Sequence, residues 1–186
     1  MTPQRDVRIR HAKDLTFRLL TPEDAFELLA FETAERAWFE QHIEARREQF
    51  YTPHGVSQHI VECLALNAQG RMSPQLIRHK GIIIGRANLR DIDQGRAQVG
   101  YRIAENACGQ GIAQKALHHL MKEARCIYGL DTLQATVSIE NTASQHVLEK
   151  AKFTVVDKRL DYSPVADQCL DCVVYQCALR EKVECP

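Results

Sequence analysis

The chain has 186 residues, 45% of them hydrophobic and 26% charged, which suits one globular domain with a sizeable core. Lys+Arg and Asp+Glu balance at 24 each, so no excess of basic charge points to nucleic acid or a membrane surface. No apolar run approaches the roughly 20 residues that cross a bilayer, and segment 1–10, which reads equally as an arm or an edge strand, lacks the apolar stretch of a secretory signal. Seven irregularly spaced cysteines are expected to be reduced thiols of a cytoplasmic protein. Cys169 and Cys172, three apart, would fall on opposite faces of one strand, and no second close Cys or His pair completes a zinc set, so no metal is expected.

Residues 15–20 read as a strand. Thr21 and Pro22 then supply an N-cap and first-turn proline, with Glu23 and Asp24 in the positive first turn. Ala25, Phe26, Leu28, Leu29 and Phe31 give that helix an apolar side. A second helical stretch contains Trp38, Phe39, His42 and Ile43. A third covers 54–66, burying Val56, Ile60, Cys63 and Leu64 with Ala68 beside them, and the polar stretch 67–73 ends it. Strands at 76–79, 81–89 and 97–103 are separated by turn signals at Lys80-Gly81 and Asp93-Gln94-Gly95. The helix over 111–128 is the best defined, with Ile112, Ala116, Leu117, Leu120, Ala124, Ile127 and Tyr128 at helical spacing. Gly129 stops it. A strand at 132–139, a helix at 141–150 and a strand at 153–159 follow. Residues 163–167 read as a loop before a last strand at 168–179. The order predicts a mixed α/β domain of antiparallel meander and crossover helix, with the strands flanking that helix parallel.

The stretch Tyr101-Arg-Ile-Ala-Glu-Asn-Ala-Cys-Gly-Gln-Gly-Ile-Ala113 carries the strongest functional signal. A strand ends near Ile103, a polar loop with Gly109 and Gly111 follows, and a helix opens at once. That arrangement offers backbone N–H groups and a helix N-terminus to an anion. Gly111 is followed by Ile112 and Ala113, so the Lys and hydroxyl of a triphosphate loop are missing. Asp131 begins the next strand instead of ending it, so the dinucleotide pattern fits poorly. A diphosphate held by backbone amides without metal fits better, as in coenzyme A binding.

The segment resembles the pyrophosphate loop of the GNAT acetyltransferases, Gln/Arg-x-x-Gly-x-Gly/Ala. Gly111 and Ala113 match its last two fixed positions, and Cys108 departs from the first. Residues 139–153 resemble the second GNAT signature, with Asn141 and Ser144 opening a helix that leads through Ala151 and Phe153 into a strand. Thr21 to Ala25 and Asp171 to Tyr175 are similar to the first helix start and last strand of the RimJ/RimL branch, with Cys172 where His is frequent. The resemblance covers about 15–179 of a single domain taken as 1–186.

It implies a GNAT-like α/β (α+β) fold with a mostly antiparallel central sheet, flanking helices and a splayed parallel strand pair. It implies acetyl-CoA as co-substrate, held by the loop residues Gly109, Gln110, Gly111, Ile112 and Ala113 and by the backbone of Tyr101 and Ile103. Asn141 would touch the pantetheine arm, and Ser144 would lie near the sulfur as a catalytic hydrogen-bond donor. Gln98 stands where the branch often carries an acid, and can only orient the amine or a water. Glu105, His146, His118 and His119 are expected to be surface or packing groups, and Tyr101, Tyr162 and Tyr175 candidates for the acceptor pocket. The acceptor implied is a protein or peptide N-terminal α-amine, with a small-molecule amine or a non-catalytic acyl-CoA-binding module as alternatives. No nucleic acid or membrane partner is expected, and exposed sheet ends could pair in a homodimer.

Overall fold

The computed structural model describes residues 14–41, 43–165 and 168–179; segment 1–10 lies outside them. Seven strands form one sheet in the order β1-β2-β3-β4-β5-β7-β6. Strands β1 (Leu15–Leu19), β2 (Ser73–His79), β3 (Ile82–Asp93) and β4 (Arg96–Ile103) make an antiparallel meander. Strand β5 (Thr132–Ser138) joins β4 in parallel, and β6 (Thr154–Val165) and β7 (Gln168–Ala178) continue the sheet antiparallel. The expected mixed fold is present, with one parallel pair in a mostly antiparallel sheet.

Helix α1 (Ala25–Ala34) follows a short 3-10 turn at Pro22–Asp24, and α2 (Arg36–Phe39) and α3 (Pro53–Ala68) come before β2. Asp24 accepts from the Thr21 backbone N–H at 2.8 Å and its hydroxyl at 3.0 Å, closing the first turn. Helix α1 buries Leu28, Phe31 and, unexpectedly, Glu32, while Phe26 is 85% exposed against the sequence expectation. Helix α2 stops at Phe39; Ile43 lies beyond it and His42 is outside the described residues. Helix α3 buries Val56, Ile60 and Cys63, with Ala68 exposed.

Helix α4 (Ile112–Cys126) is the crossover. It buries Ile112, Ala116, Leu117, Leu120 and Ala124, but leaves Ile127, just past its end, 71% exposed. Helix α5 (Thr142–Lys150) connects β5 to β6. The stretch read as a loop at 163–167 is largely strand, because Ser163, Pro164 and Val165 pair with Leu170, Cys169 and Gln168. Cross-strand pairing outweighs local composition there.

Strand alternation sends side chains to opposite faces of the sheet. Ser73 and Gln75 meet Glu123 of α4, at 2.7 and 3.0 Å to its Oε1. Their register partners Leu89 and Ala87 share that face. Arg86, between them, meets Glu32 of α1 at 2.8 Å and His59 of α3 at 3.0 Å on the other face. Helices α1 and α3 therefore cover one face and α4 the other. Cys63, Cys108, Cys169, Cys172 and Cys177 are free thiols, with Cys169 exposed and Cys172 buried as the odd spacing implies. Cys126 departs from the expectation of reduced thiols, being disulfide-bonded. Among the described residues no helix is long and apolar enough to cross a membrane.

Candidate active site

Strands β4 and β5 pair only through Arg96, Ala97 and Gln98 against Thr132, Leu133 and Gln134. Beyond those residues they diverge, as the resemblance implies. An amide row closes the fork: Gln98 Nε2 donates to Gln134 Oε1 at 3.1 Å, and Gln134 Nε2 to Gln176 Oε1 at 2.9 Å. A cavity of about 560 Å³ opens between the separating strands, with Val99 to Arg102 of β4 on one side and Ala135 to Ser138 of β5 on the other. Ala104 N–H donates to Ile84 on β3. Two-residue alternation then turns the backbone groups of Val99, Tyr101 and Ile103 toward the gap. Ile103 lies at its end, where its carbonyl accepts from Trp38 Nε1 at 3.1 Å.

The α5 side of the cavity is uncharged. Asn141 and Ser144 line it, and Asn141 Oδ1 also caps α5 by accepting from Ser144 N–H at 3.0 Å. The capping and site positions of Asn141 are thus compatible. Tyr101 projects into this side. Burial pushes its hydroxyl up to about 12, against a smaller lowering by the Ser144 hydroxyl beside it. The Tyr101 oxygen is buried without a hydrogen-bond partner of ordinary geometry. A phenol that stays protonated, with only the poorly aligned Ser144 hydroxyl beside it, is a ready donor to an incoming oxygen or sulfur.

The glycine loop lies past the end of β4, outside the cavity lining. Gly109 and Gly111 both have φ of 73°, a left-handed conformation costly to other residues, with open space where a Cβ would stand. Gly111 caps α4 with no side-chain acceptor. Intrahelical donation begins with Lys115 N–H to Gly111 O. The N–H groups of Ile112, Ala113 and Gln114 are therefore the orphan donors of a helix start. Cys108 does not brace this loop as a long polar side chain would. Its thiol turns back toward the Ala104 carbonyl at 3.4 Å, and Gln110 Nε2 donates to Asn106 O at 3.1 Å.

The opposite side of the cavity carries charge. Arg86, Asn88 and Arg90 alternate along β3 and face Arg102, Gly100 and Gln98 on β4. Arg159 and Tyr162 come from β6, and the two carboxylates on the wall are Glu44 and Asp91. Asp91 sits at φ 52° in the β3 irregularity between Arg90 and Asp93. Behind this wall Glu32, fully buried, meets Arg86 at 2.8 Å, Arg102 at 3.0 Å and Arg46 at 3.8 Å. Burial alone would raise its carboxyl, but Arg102, Arg86 and Arg46 outweigh that and hold it at about 2. His59 is driven down to about 3 by burial and by Arg86 and Arg46, so it is neutral and accepts from Arg86.

Gln98, Tyr101, Asn141 and Ser144 thus meet in one cavity, and Tyr162 lines it as well. Tyr175 does not; its hydroxyl donates to Glu149 of α5. His146 and His118 are exposed, each with Nδ1 on the carbonyl four residues earlier, and His119 stacks on Phe17. Glu105 is exposed outside the cavity. The sequence reading missed the arginine wall, Glu32 and Asp91. The alternation Arg86-x-Asn88-x-Arg90 was its one visible signal.

A forked parallel pair, a cavity through the sheet and a glycine-capped crossover helix define an acyltransferase fold. Residues 14–154 match the family model of the Acetyltransferase (GNAT) domain, and the chain belongs to the GNAT acetyltransferase family. The probable N-acetyltransferase YjcK of Bacillus subtilis (strain 168) is 30% identical over 151 residues, covering 76% of this chain and 81% of the relative. The ribosomal-protein-S5-alanine acetyltransferase of Vibrio fischeri has the same fold at a TM-score of 0.86 and 19% identity, over 92% of this chain and 96% of that one. Mycobacterium smegmatis RimJ, in complex with CoA-disulfide, gives a TM-score of 0.82 at 22% identity over 88% and 81%.

Proposed function

We propose that this enzyme transfers an acetyl group from acetyl-CoA to the N-terminal α-amine of a protein or peptide. The observation that carries this reading is the gap itself. Backbone groups of Tyr101, the unpartnered Tyr101 hydroxyl, Asn141 and Ser144 line one uncharged passage, and a glycine-capped helix start stands beyond its end. Those features fit a long amide-bearing thioester with a diphosphate at its far end. The N–H groups around Gly111, Ile112 and Ala113, with Gly109 and Gln110 shaping the loop, hold the diphosphate. Tyr101 and Ile103 offer main-chain partners to the arm, and Asn141 reaches it from the α5 cap.

Acetyl-CoA supplies the activated acyl group. Gln98 orients the attacking amine from the fork of the strands. Tyr101 and Ser144 donate hydrogen bonds to the departing sulfur, with Tyr101 the stronger acid of the two. The transfer is direct, with both substrates bound together. Gln98 has no carboxylate to take the ammonium proton. An α-amine, with a pKa near 8, reaches its neutral form far more easily than a lysine near 10.4. Water beside the wall carboxylates Asp91 and Glu44 receives that proton.

A cytoplasmic location, a single functional domain over 1–186 and a homodimer belong to the same proposal. For the dimer the support is edge strand β6, where Val155, Val156 and Leu160 are exposed. The test is coenzyme A release with peptides bearing a free N-terminus, compared with N-blocked peptides whose only amine is a lysine. Release with the free N-terminus alone is expected; faster turnover on lysine overturns the α-amine assignment. Calorimetric titration of acetyl-CoA into Gly111→Trp should show lost affinity, and unchanged affinity removes the loop assignment.

A further inference from the structure

The acceptor wall carries four arginines, Arg86, Arg90, Arg102 and Arg159, against two carboxylates, Glu44 and Asp91. Arg159 is offset by Asp157 at 3.8 Å, but ion pairing does not remove the excess at Arg86, Arg90 and Arg102. Glu32 is the one carboxylate behind the wall that meets Arg86 and Arg102, and it is shared with Arg46. Arg90 has no ion-pair partner within 4.0 Å among the described residues, and it lies over Gly100, where a Cβ would be 3.6 Å from its Nη2. Arg86 is 2% exposed, lines the cavity and keeps a buried Nε with no hydrogen-bond partner. Asn88, between Arg86 and Arg90 on the same strand face, keeps a buried Oδ1 with no partner. Buried polar atoms of this kind are satisfied in most folded proteins. Here two of them belong to residues that line a cavity with room for a ligand.

We propose that the acceptor carries a carboxylate close to its reactive amine, seated on Arg86, Arg90 and Arg102, with a neighbouring amide N–H donating to Asn88. This rests on the α-amine reading above and narrows it to chains whose second or third residue is acidic. Arginine suits the role because its planar fork matches a carboxylate in two-point contact, which Arg90 can offer, while Arg86, held at both Nη atoms by Glu32 and His59, adds its Nε. Burial, together with repulsion from neighbouring arginines, lowers the pKa of Arg102 and takes Arg46 to about 10. An anion on the wall relieves that repulsion. A polycation meets the opposite field and is disfavoured.

The test uses the full chain and two acceptor series. One is a peptide set differing only at residue 2, as Asp, Asn or Lys. The other is a small primary amine with a carboxylate, its carboxamide and a diamine of similar length. Coenzyme A release at saturating acetyl-CoA gives kcat/KM for each. Expected is a preference of about tenfold or more for the acidic member over the neutral one, lying in KM, and a larger one over the basic member. The preference should shrink as salt rises. Arg90→Gln, at an exposed position, should narrow the acidic-to-neutral ratio several-fold, and Arg86→Lys should narrow it while keeping the charge count. Equal turnover across a series, or preference for the basic member, overturns this proposal and leaves the acetyltransferase intact. Turnover confined to the small amines overturns the peptide reading, with the acid preference then read in that series. Acetyl-CoA binding with no acceptor used in either series overturns both.

Discussion

The two sides of the β4–β5 gap are built on different physics. Toward α5 the wall is uncharged, and its contacts come from main-chain groups, one phenol, one amide and one hydroxyl. Toward α1 and α3 the wall is a charged set in which three arginines share one buried carboxylate. Backbone recognition tolerates side-chain change, which is why Cys108 can replace a longer polar residue without altering the helix start that follows it. Side-chain recognition does not tolerate it. The first wall suits a co-substrate of constant shape, and the second suits an acceptor chosen by charge.

The sharpest break of this comparison is on the charged side. Glu32→Ala leaves three arginines around an empty position, and loss of one partner from a buried ion cluster costs about 3–5 kcal/mol. A fall in the urea midpoint should report it; a change under about 1 kcal/mol would show that Glu32 does not hold this wall together. Tyr101→Phe breaks the uncharged side and should lower kcat about ten- to a hundredfold, with KM for acetyl-CoA little changed. Equal loss in KM would make the tyrosine a packing residue.

Acid should separate the walls next. The His59 pKa is about 3 in the folded chain against an ordinary 6.5. The unfolded chain therefore takes up this proton first, and the stability present above 6.5 drains away as pH falls toward 3. Glu32, at about 2 against an ordinary 4.5, adds a second loss between those values. Thermal melts from pH 7 to 4 should fall, and His59→Gln should flatten the upper part of that slope, by on the order of 1–2 kcal/mol. The smallest effect is expected from Ser144→Ala, about three- to tenfold in kcat, since Tyr101 remains as donor. No effect with cofactor fully bound would place Ser144 in the helix turn alone.

Much of the uncharged side, and of the glycine loop beyond it, was legible in the sequence. Gly109, Gly111, Asn141 and Ser144 act through local rules, namely left-handed backbone, helix starts and caps, and these leave marks at fixed spacing. The charged side was not. Arg86, Asn88 and Arg90 have the period of a half-solvated strand, and only the packing of α1 and α3 turns that face inward. Glu32 looks like an ordinary helical surface charge until Arg86 and Arg102, 54 and 70 positions away, converge on it. Phe26 and Ile127 failed in the opposite direction, since apolar spacing marks a face without saying whether anything covers it. Residues 163–165, part of the stretch 163–167 read as a loop, read so because strand β7, which gives them partners, comes later in the chain; 166 and 167 lie outside the described residues.

The amide row Gln98–Gln134–Gln176 has a consequence for length. The strands part only past Gln98 and Gln134, so this row is the stop of a ruler for anything threaded between them. An acyl tail longer than acetyl would have to push against the stop or bend out toward the arginines. Shortening Gln134 to Ala should move the stop inward and raise turnover of propionyl or butyryl donors relative to acetyl-CoA; an unchanged ratio would show that the row sets no length.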